Sequence, residues 1–288
     1  MKVRECLPDI ECDVVLSGLP SSIAMRTESD FAAAGYAVVS NASSHRMDID
    51  VPLLIPEVNA DHVQAITKQR ERFGGQGFIV TNPNCSVIGL VIPLAALHRE
   101  FGLEAVHVVT MQALSGAGYP GVSSLDAIDN VLPSIGDGEE EEKMESEPLK
   151  ILGQWNGSEF EDCDIRVSAL THRVNVRDGH LEACSVKLKR KTTAKELERA
   201  FANFRTEIEK LDLPSAPSPV MIVEQAQNRP QPRLDRDRAG GMAVIMGPVT
   251  TCGVLDYKFR LLSHNTIRGA AGAAILNAEL LYREGFIL

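Results

Sequence analysis

Short apolar runs alternate with amphipathic stretches over the first third of the chain. Asp13-Val14-Val15-Leu16-Ser17 reads as a buried strand entering a Gly/Pro turn, and residues 22–34 as a helix. A second β-rich run at 36–40 ends in a polar loop, 40–46. Residues 61–70 have helical periodicity, 77–81 form a third strand, and 86–100 predict a helix apolar on most of its surface and therefore buried. Strands separated by helices imply a parallel sheet with crossovers. After about residue 100 the pattern changes. Strands are predicted at 106–114, 165–170, 181–189, 243–248 and 255–261, a charged helix at 139–152, an exposed helix at 193–210 and a closing helix at 266–284. Segments 212–219 and 227–238 read as Pro-rich loops. The fold class expected is α/β: a doubly wound, Rossmann-like parallel sheet unit, joined to an α+β unit.

Composition narrows the partners. Lys and Arg number 29 against 39 Asp and Glu, a net charge of -10, with no basic stripe. Nucleic acid and anionic membrane surfaces are therefore not expected as partners. The longest apolar stretch, Val87 to Leu97, is too short to span a bilayer and contains Pro93. Cysteines at 6, 12, 85, 163, 184 and 252 show neither C-x-x-C nor zinc spacing. Free thiols, a reducing cytoplasmic setting and no metal site are expected.

Cys85 is the most pointed candidate for chemistry. It follows a strand and a polar turn and opens a helix, where the dipole and free N–H groups favour a thiolate. The alternative is an inert buried cysteine, the reading taken for the other five. His180 follows the turn Arg177-Asp178-Gly179, seven residues after Arg173. It is either a proton carrier for Cys85 or a surface turn histidine. Gly116-Ala-Gly118-Tyr-Pro-Gly121 matches G-x-G-x-x-G. No β-run ending in an acid follows about 20 residues later, so the dinucleotide fingerprint is rejected and a close backbone approach to a ligand is kept. The run Glu139 to Glu142 reads as a solvated face, and Glu147 with Lys150 as a surface pair.

Several segments, in one order along one chain, carry a resemblance. They are Ser40-Asn-Ala-Ser-Ser-His-Arg46-Met47, Val51-Pro-Leu-Leu-Ile-Pro56, Thr81-Asn-Pro-Asn-Cys85 and Gln112-Ala-Leu-Ser-Gly-Ala-Gly-Tyr-Pro-Gly121. Glu147-Pro-Leu-Lys150, Arg173-Val-Asn-Val-Arg-Asp-Gly-His180, Arg229-Pro-Gln-Pro-Arg-Leu-Asp-Arg236 and Ser263-His-Asn-Thr-Ile-Arg-Gly-Ala-Ala-Gly272 continue it. The chain resembles the aspartate-β-semialdehyde dehydrogenases of fungal and archaeal type. That resemblance implies NADPH-dependent reductive dephosphorylation of L-aspartyl-4-phosphate, on the route to lysine, threonine and methionine. It implies Cys85 as nucleophile beside Asn84, His180 as acid/base and Gln112 as the residue orienting the thioacyl group. It further implies Arg173 and Glu147 as clamps on the substrate carboxylate and amine, and Arg46 and Lys150 as phosphate binders. Ser17, Leu19, Pro20, Ser115, Gly116, Ala117, Gly118 and Asn265 are implied as contacts of NADP. A homodimer or homotetramer is implied.

The division expected is an incomplete dinucleotide-binding unit, 1–85 with 264–288, and a catalytic and dimerisation unit, 86–263. The family's Gly-rich pyrophosphate loop is not found, and the chain starts at what corresponds to a later strand, about 60 to 70 residues in. Weak cofactor binding is the expected consequence. Three readings stay open: an incomplete version of a normal enzyme, a truncated and impaired paralogue acting as a partner subunit, and an enzyme active as written. Within the enzyme class the alternative is another acyl-phosphate reductase, such as N-acetyl-γ-glutamyl-phosphate reductase. Gln112, Glu147 and Lys150 argue against it.

Overall fold

A computed structural model describes residue 3 and residues 5–287. The first elements are β1 (Val14–Ser17), α1 (Ser21–Ala33), β2 (Ala37–Ser40), α2 (Pro56–Asn59), α3 (Ile66–Phe73) and β3 (Phe78–Thr81). The three strands pair in parallel in the order β1-β2-β3. Every residue of β2 and β3 is buried, because helices cover both faces. Val38 and Ile79 meet Phe31 and Ala32 of α1 on one face. Val39, Phe78 and Val80 pack with Leu276, Leu280 and Leu281 of the chain's last helix on the other. The expected helix over 61–70 is divided into a 3₁₀ turn, Ala60–Ala65, and α3. Asn59 explains the break: its Oδ1 accepts from Ile55 N–H and its Nδ2 donates to Leu53 O, which pins the turn before α3 begins.

α4 (Val87–Phe101) leads into the second part of the fold. Val87 to Leu97 are all buried, the periodicity-free apolar run of a helix enclosed on every side. It lies between Leu53 and Ile55 and the large sheet, in one core with Val106, Val108, Val186 and Leu261. Each such buried aliphatic side chain contributes about 1.5–3 kcal/mol. The remaining elements are β4 (Leu103–Gln112), α5 (Ser124–Ala127), β5 (Val131–Pro133), α6 (Glu139–Ile151), β6 (Gln154–Trp155), β7 (Phe160–Glu161), β8 (Arg166–Val174) and β9 (His180–Leu188). They continue with α7 (Ala194–Ala202), β10 (Met221–Val223), α8 (Pro232–Asp235), β11 (Val244–Met246), β12 (Thr250–Thr251), β13 (Tyr257–Ser263) and α9 (Gly272–Arg283).

The large sheet is mixed, in the order β10-β11-β13-β9-β4-β8-β5, with β12 on β13. β8 and β9 are consecutive in sequence but not neighbours, because β4 lies between them, parallel to β8 and antiparallel to β9. Burial alternates along β4, β8 and β9, so one face meets the helices and the other is partly exposed. The helix expected over 193–210 ends at Ala202. Thr193 with Glu196 forms one capping box and Thr206 with Glu209 a second, so the chain restarts as a 3₁₀ turn, Glu207–Leu211. Ile208 from that turn enters the core under the parallel sheet.

Candidate active site

The site forms where β3 ends, and local sequence makes the corner. Asn84 Oδ1 accepts from Ser86 N–H at 2.9 Å, an Asx turn that starts α4 and presents Cys85 at its head. From the large sheet come three side chains in a row. Gln112 and Arg173 are register partners at the ends of β4 and β8, and His180 begins β9 beside them. Strand period places all three on the buried face. The spacing of Arg173 and His180 along the chain is therefore a crossing over β4, not a hairpin.

Cys85 Sγ lies 3.2 Å from His180 Nε2. His180 Nδ1 accepts from Ala113 N–H at 3.0 Å. Arg173 Nη1 donates to Ala113 O at 2.8 Å and to Gln112 Oε1 at 3.4 Å. Arg46, from the loop after β2, donates to Glu147 Oε1 at 2.9 Å and Asn41 O at 2.8 Å. Cys85, Arg46, Asn84, Ser115, Gly118 and Asn265 face one cavity. Asn265 joins its two sides, accepting from Gly179 N–H and donating to Ser115 Oγ, each at 2.8 Å.

Electrostatics reverse one expectation. The helix terminus does not make Cys85 a resting thiolate. Burial first, then the Glu140 carboxylate, push its thiol up to about 12, against the opposing pull of Arg46 and Arg173. Burial, with Arg173 and His264 as further causes, takes His180 down to about 3. At neutral pH the pair is a thiol facing a neutral imidazole.

Not every implied residue faces the cavity. Glu147 is 2% exposed and both oxygens are engaged, the second by Asn84 N–H at 2.7 Å. Lys150 is 3% exposed, and its Nζ donates to Arg46 O and Asp48 O at 2.7 Å, over the Phe160 ring. Burial lowers it to about 8. These two side chains brace the Arg46 loop, and are not the surface pair their spacing suggests. Ser17 turns its hydroxyl onto Glu28, while Leu19 and Pro20 continue the loop after β1. That loop is not among the residues lining the Cys85 cavity. Ala117 closes the 3₁₀ turn Leu114–Ala117 that carries Ser115 and Gly116.

The acidic run is also not uniformly solvated. Glu140 accepts from the Asn84 and Gln112 side chains, and Glu141 accepts from Thr171 N–H and Oγ1. The signal missed was helix phase: α6 begins at Glu139, so its first turn packs on β8 with two carboxylates inward. All six cysteines are free. Among the described residues no cluster of three metal-ligating side chains occurs, and no helix is long and apolar enough to cross a membrane.

Comparisons with known proteins place the chain in a family. The profile of the semialdehyde dehydrogenase NAD binding domain matches residues 2–66, and that of the semialdehyde dehydrogenase dimerisation domain matches 94–268. An aspartate-semialdehyde dehydrogenase of Archaeoglobus fulgidus is 51% identical over 96% of this chain and 79% of its own length. That of Schizosaccharomyces pombe is 46% identical over 100% of this chain and 82% of its own. The crystal structure of the Candida albicans enzyme with NADP superposes with a TM-score of 0.91, at 40% identity, over 99% of this chain and 82% of that one. Likeness at 40–51% identity over nearly the whole of this chain and about four fifths of these relatives' length shows the family: the chain belongs to the aspartate-semialdehyde dehydrogenases.

Proposed function

We propose that this chain reduces L-aspartyl-4-phosphate to L-aspartate-4-semialdehyde, with release of phosphate, through a thioacyl group on Cys85. The observation that carries the reading is the 3.2 Å contact between Cys85 Sγ and His180 Nε2, beside a cavity lined by Cys85 and Arg46, with Arg173 behind Gly116. A substrate with a carboxylate at one end and an acyl phosphate at the other matches two separated guanidiniums. Arg173 holds the α-carboxylate and Arg46 the phosphate, whose departing charge it stabilises. Cys85 attacks the acyl carbon and the acyl–phosphate bond breaks, the thiol proton leaving on the departing phosphate. Gln112 orients the thioacyl group, and Asn84 fixes the turn that presents the sulfur. His180 Nε2–H faces the sulfur and gives its proton to the oxygen that becomes charged as the carbonyl is reduced. NADPH, when bound, would supply the hydride; the carbon–sulfur bond then breaks, the oxygen's proton returns to His180, the semialdehyde leaves and the thiolate is reprotonated from water.

The residues beside the cavity fit that cofactor. Added to Gly118, a Cβ would meet nothing within 4 Å, so backbone there is open to a ligand, and Ser115 and Asn265 stand next to it. With the Ser17-to-Pro20 loop these are the assigned cofactor contacts. Residues 1–85 with 264–288 form the cofactor-binding part and 86–263 the catalytic and dimerisation part. The impaired-paralogue reading is not favoured, since the catalytic pair and its supports are assembled. A homo-oligomer is proposed through the partly exposed face of the large sheet, where Leu170 is 52% exposed. Free thiols accord with the cytoplasm.

The test is phosphate-dependent NADP reduction by L-aspartate-4-semialdehyde, with Cys85→Ser beside it. Turnover that requires Cys85, with a thioacyl adduct on its peptide by mass spectrometry, supports the reading. Turnover by Cys85→Ser removes it.

A further inference from the structure

Glu140 is the one member of the acidic run that reaches the cavity lined by Cys85. Its carboxylate accepts from Asn84 Nδ2 at 2.9 and 3.1 Å and from Gln112 Nε2 at 3.4 Å. Both amides are held at their other ends. Asn84 Oδ1 caps Ser86 N–H, and Gln112 Oε1 faces Arg173. Each amide thus has its oxygen on one fixed group and its nitrogen on the same carboxylate, Gln112 Nε2 donating also to Thr110 Oγ1 at 3.4 Å. A side-chain amide has no preferred flip of its own; charged neighbours decide it.

We propose that Glu140 is a positioning residue for the Cys85 chemistry, gathering the Asn84 and Gln112 amides so that each presents one fixed orientation beside the sulfur. This rests on the function proposed above. The arrangement has a cost of opposite sign, because the same negative charge faces the sulfur. The charged and titratable groups around Cys85 are Glu140 from α6, Arg46 from the loop after β2, Arg173 from β8 and His180 from β9. Lys143, one turn along α6, pairs with Glu140 at 3.2 Å and offsets part of its charge. Two effects of one carboxylate can then be separated: orientation speeds turnover, and charge slows formation of the thiolate.

The experiment compares Glu140→Gln and Glu140→Asp with the unaltered chain, in turnover and in iodoacetamide alkylation of Cys85 at pH 8, read by peptide mass spectrometry. In Glu140→Gln, kcat falls about tenfold to a hundredfold with little change in KM, as for lost alignment. Alkylation of Cys85 becomes about three- to tenfold faster, because an opposing charge is gone. In Glu140→Asp the charge remains and the reach shortens, so alkylation stays near that of the unaltered chain while kcat falls. A role in stability alone slows turnover without faster alkylation. Unchanged alkylation in Glu140→Gln, or unchanged kcat, overturns the proposal. If the unaltered chain shows no turnover, the function proposed above fails, and the alkylation rates still decide whether Glu140 faces Cys85 as stated.

Discussion

The backbone N–H of Ala113 donates to His180 Nδ1 at 3.0 Å, and this one bond sets the chemistry of the opposite nitrogen. A neutral imidazole has one proton. With Nδ1 occupied as acceptor, the network assigns that proton to Nε2, against the Cys85 sulfur. His180 is therefore ready as a donor. Its first service is to steady a thiolate, and its second is to protonate the oxygen formed on reduction.

The same burial makes a statement about stability. The folded value of His180, about 3, lies below its ordinary 6.5. Between those values the unfolded chain binds the proton and the folded chain does not, so stability rises with pH across the window. It falls as pH drops from 6.5 towards 3. His180 should therefore lower the urea midpoint at pH 5 relative to pH 7, against the opposite slope of Glu182, whose burial holds its carboxyl well above the ordinary 4.5. His180→Asn should remove part of that difference, with the rest left by His62, His98 and His264, which burial also lowers. A variant with the full pH dependence of the original would show that His180 is charged in the folded protein.

Cys252 and Cys85 are predicted to exchange the order suggested by their positions in sequence. Cys252 lies near the surface, and backbone N–H donors, Leu255 first, hold its thiol below the usual range. Cys85 is pushed the other way. Without substrate, iodoacetamide at pH 7 should label Cys252 before Cys85, in a time course followed by peptide mass spectrometry. Faster labelling of Cys85 would mean that the helix start and the two guanidiniums outweigh burial and Glu140.

These outcomes mark where sequence was a good guide. The strands of the parallel sheet and α4 were legible because local pattern decides them: Val38 and Val39 must point to opposite faces, and α4 has no polar side to expose. Cys85 and His180 were legible as candidates, each with an inert alternative. Their meeting was implied by the family resemblance but not by local pattern, because β4 separates β8 from β9 and register is a long-range property. Arg236 and Asp178 are a similar case. Arg236 Nη1 donates to Asp178 O at 3.2 Å, which fixes the turn before His180 from a segment whose local pattern reads as a loop. The break after Ala202 was missed although Thr206-x-x-Glu209 carries a helix-start signature, since an unbroken run of helix formers masks it. Charge at Cys85 was misjudged because burial is invisible in a local motif.

Gly116 belongs to a glycine pattern whose usual explanation does not hold here. A Cβ on Gly116 would lie 2.5 Å from Arg173 Nη1, 2.9 Å from His180 Cε1 and 3.1 Å from His180 Nε2. Contacts that short do not occur between settled atoms, so one side chain must move. Gly116→Ala should therefore lower kcat and raise KM for the semialdehyde together, by at least about tenfold in kcat/KM. The urea midpoint should change little, because the turn lies at the mouth of the cavity. Normal kinetics would show that the glycine is needed only for its own turn.

Glu57 and Arg268 supply the last prediction, since they tie α2 to the segment that reaches Cys85. The pair is bidentate, at 2.6 and 2.7 Å, and both side chains are fully buried. Arg268 lies in the wide turn Ile267–Ala271 that precedes α9, and the next residue, Gly269, runs against Cys85. A Cβ there would come 2.8 Å from Cys85 Cβ. Removing one partner leaves the other charge without compensation in a low-dielectric interior, which costs about 3–5 kcal/mol. Arg268→Met should lose about that much in urea unfolding. The double variant, Glu57→Leu with Arg268→Met, should recover a large part of it, because no buried charge remains. Turnover separates the two roles of the pair: the double variant should stay slow despite its recovered stability, since the guanidinium no longer fixes the turn that backs Cys85. Full recovery of both properties would mean that the pair only neutralises itself.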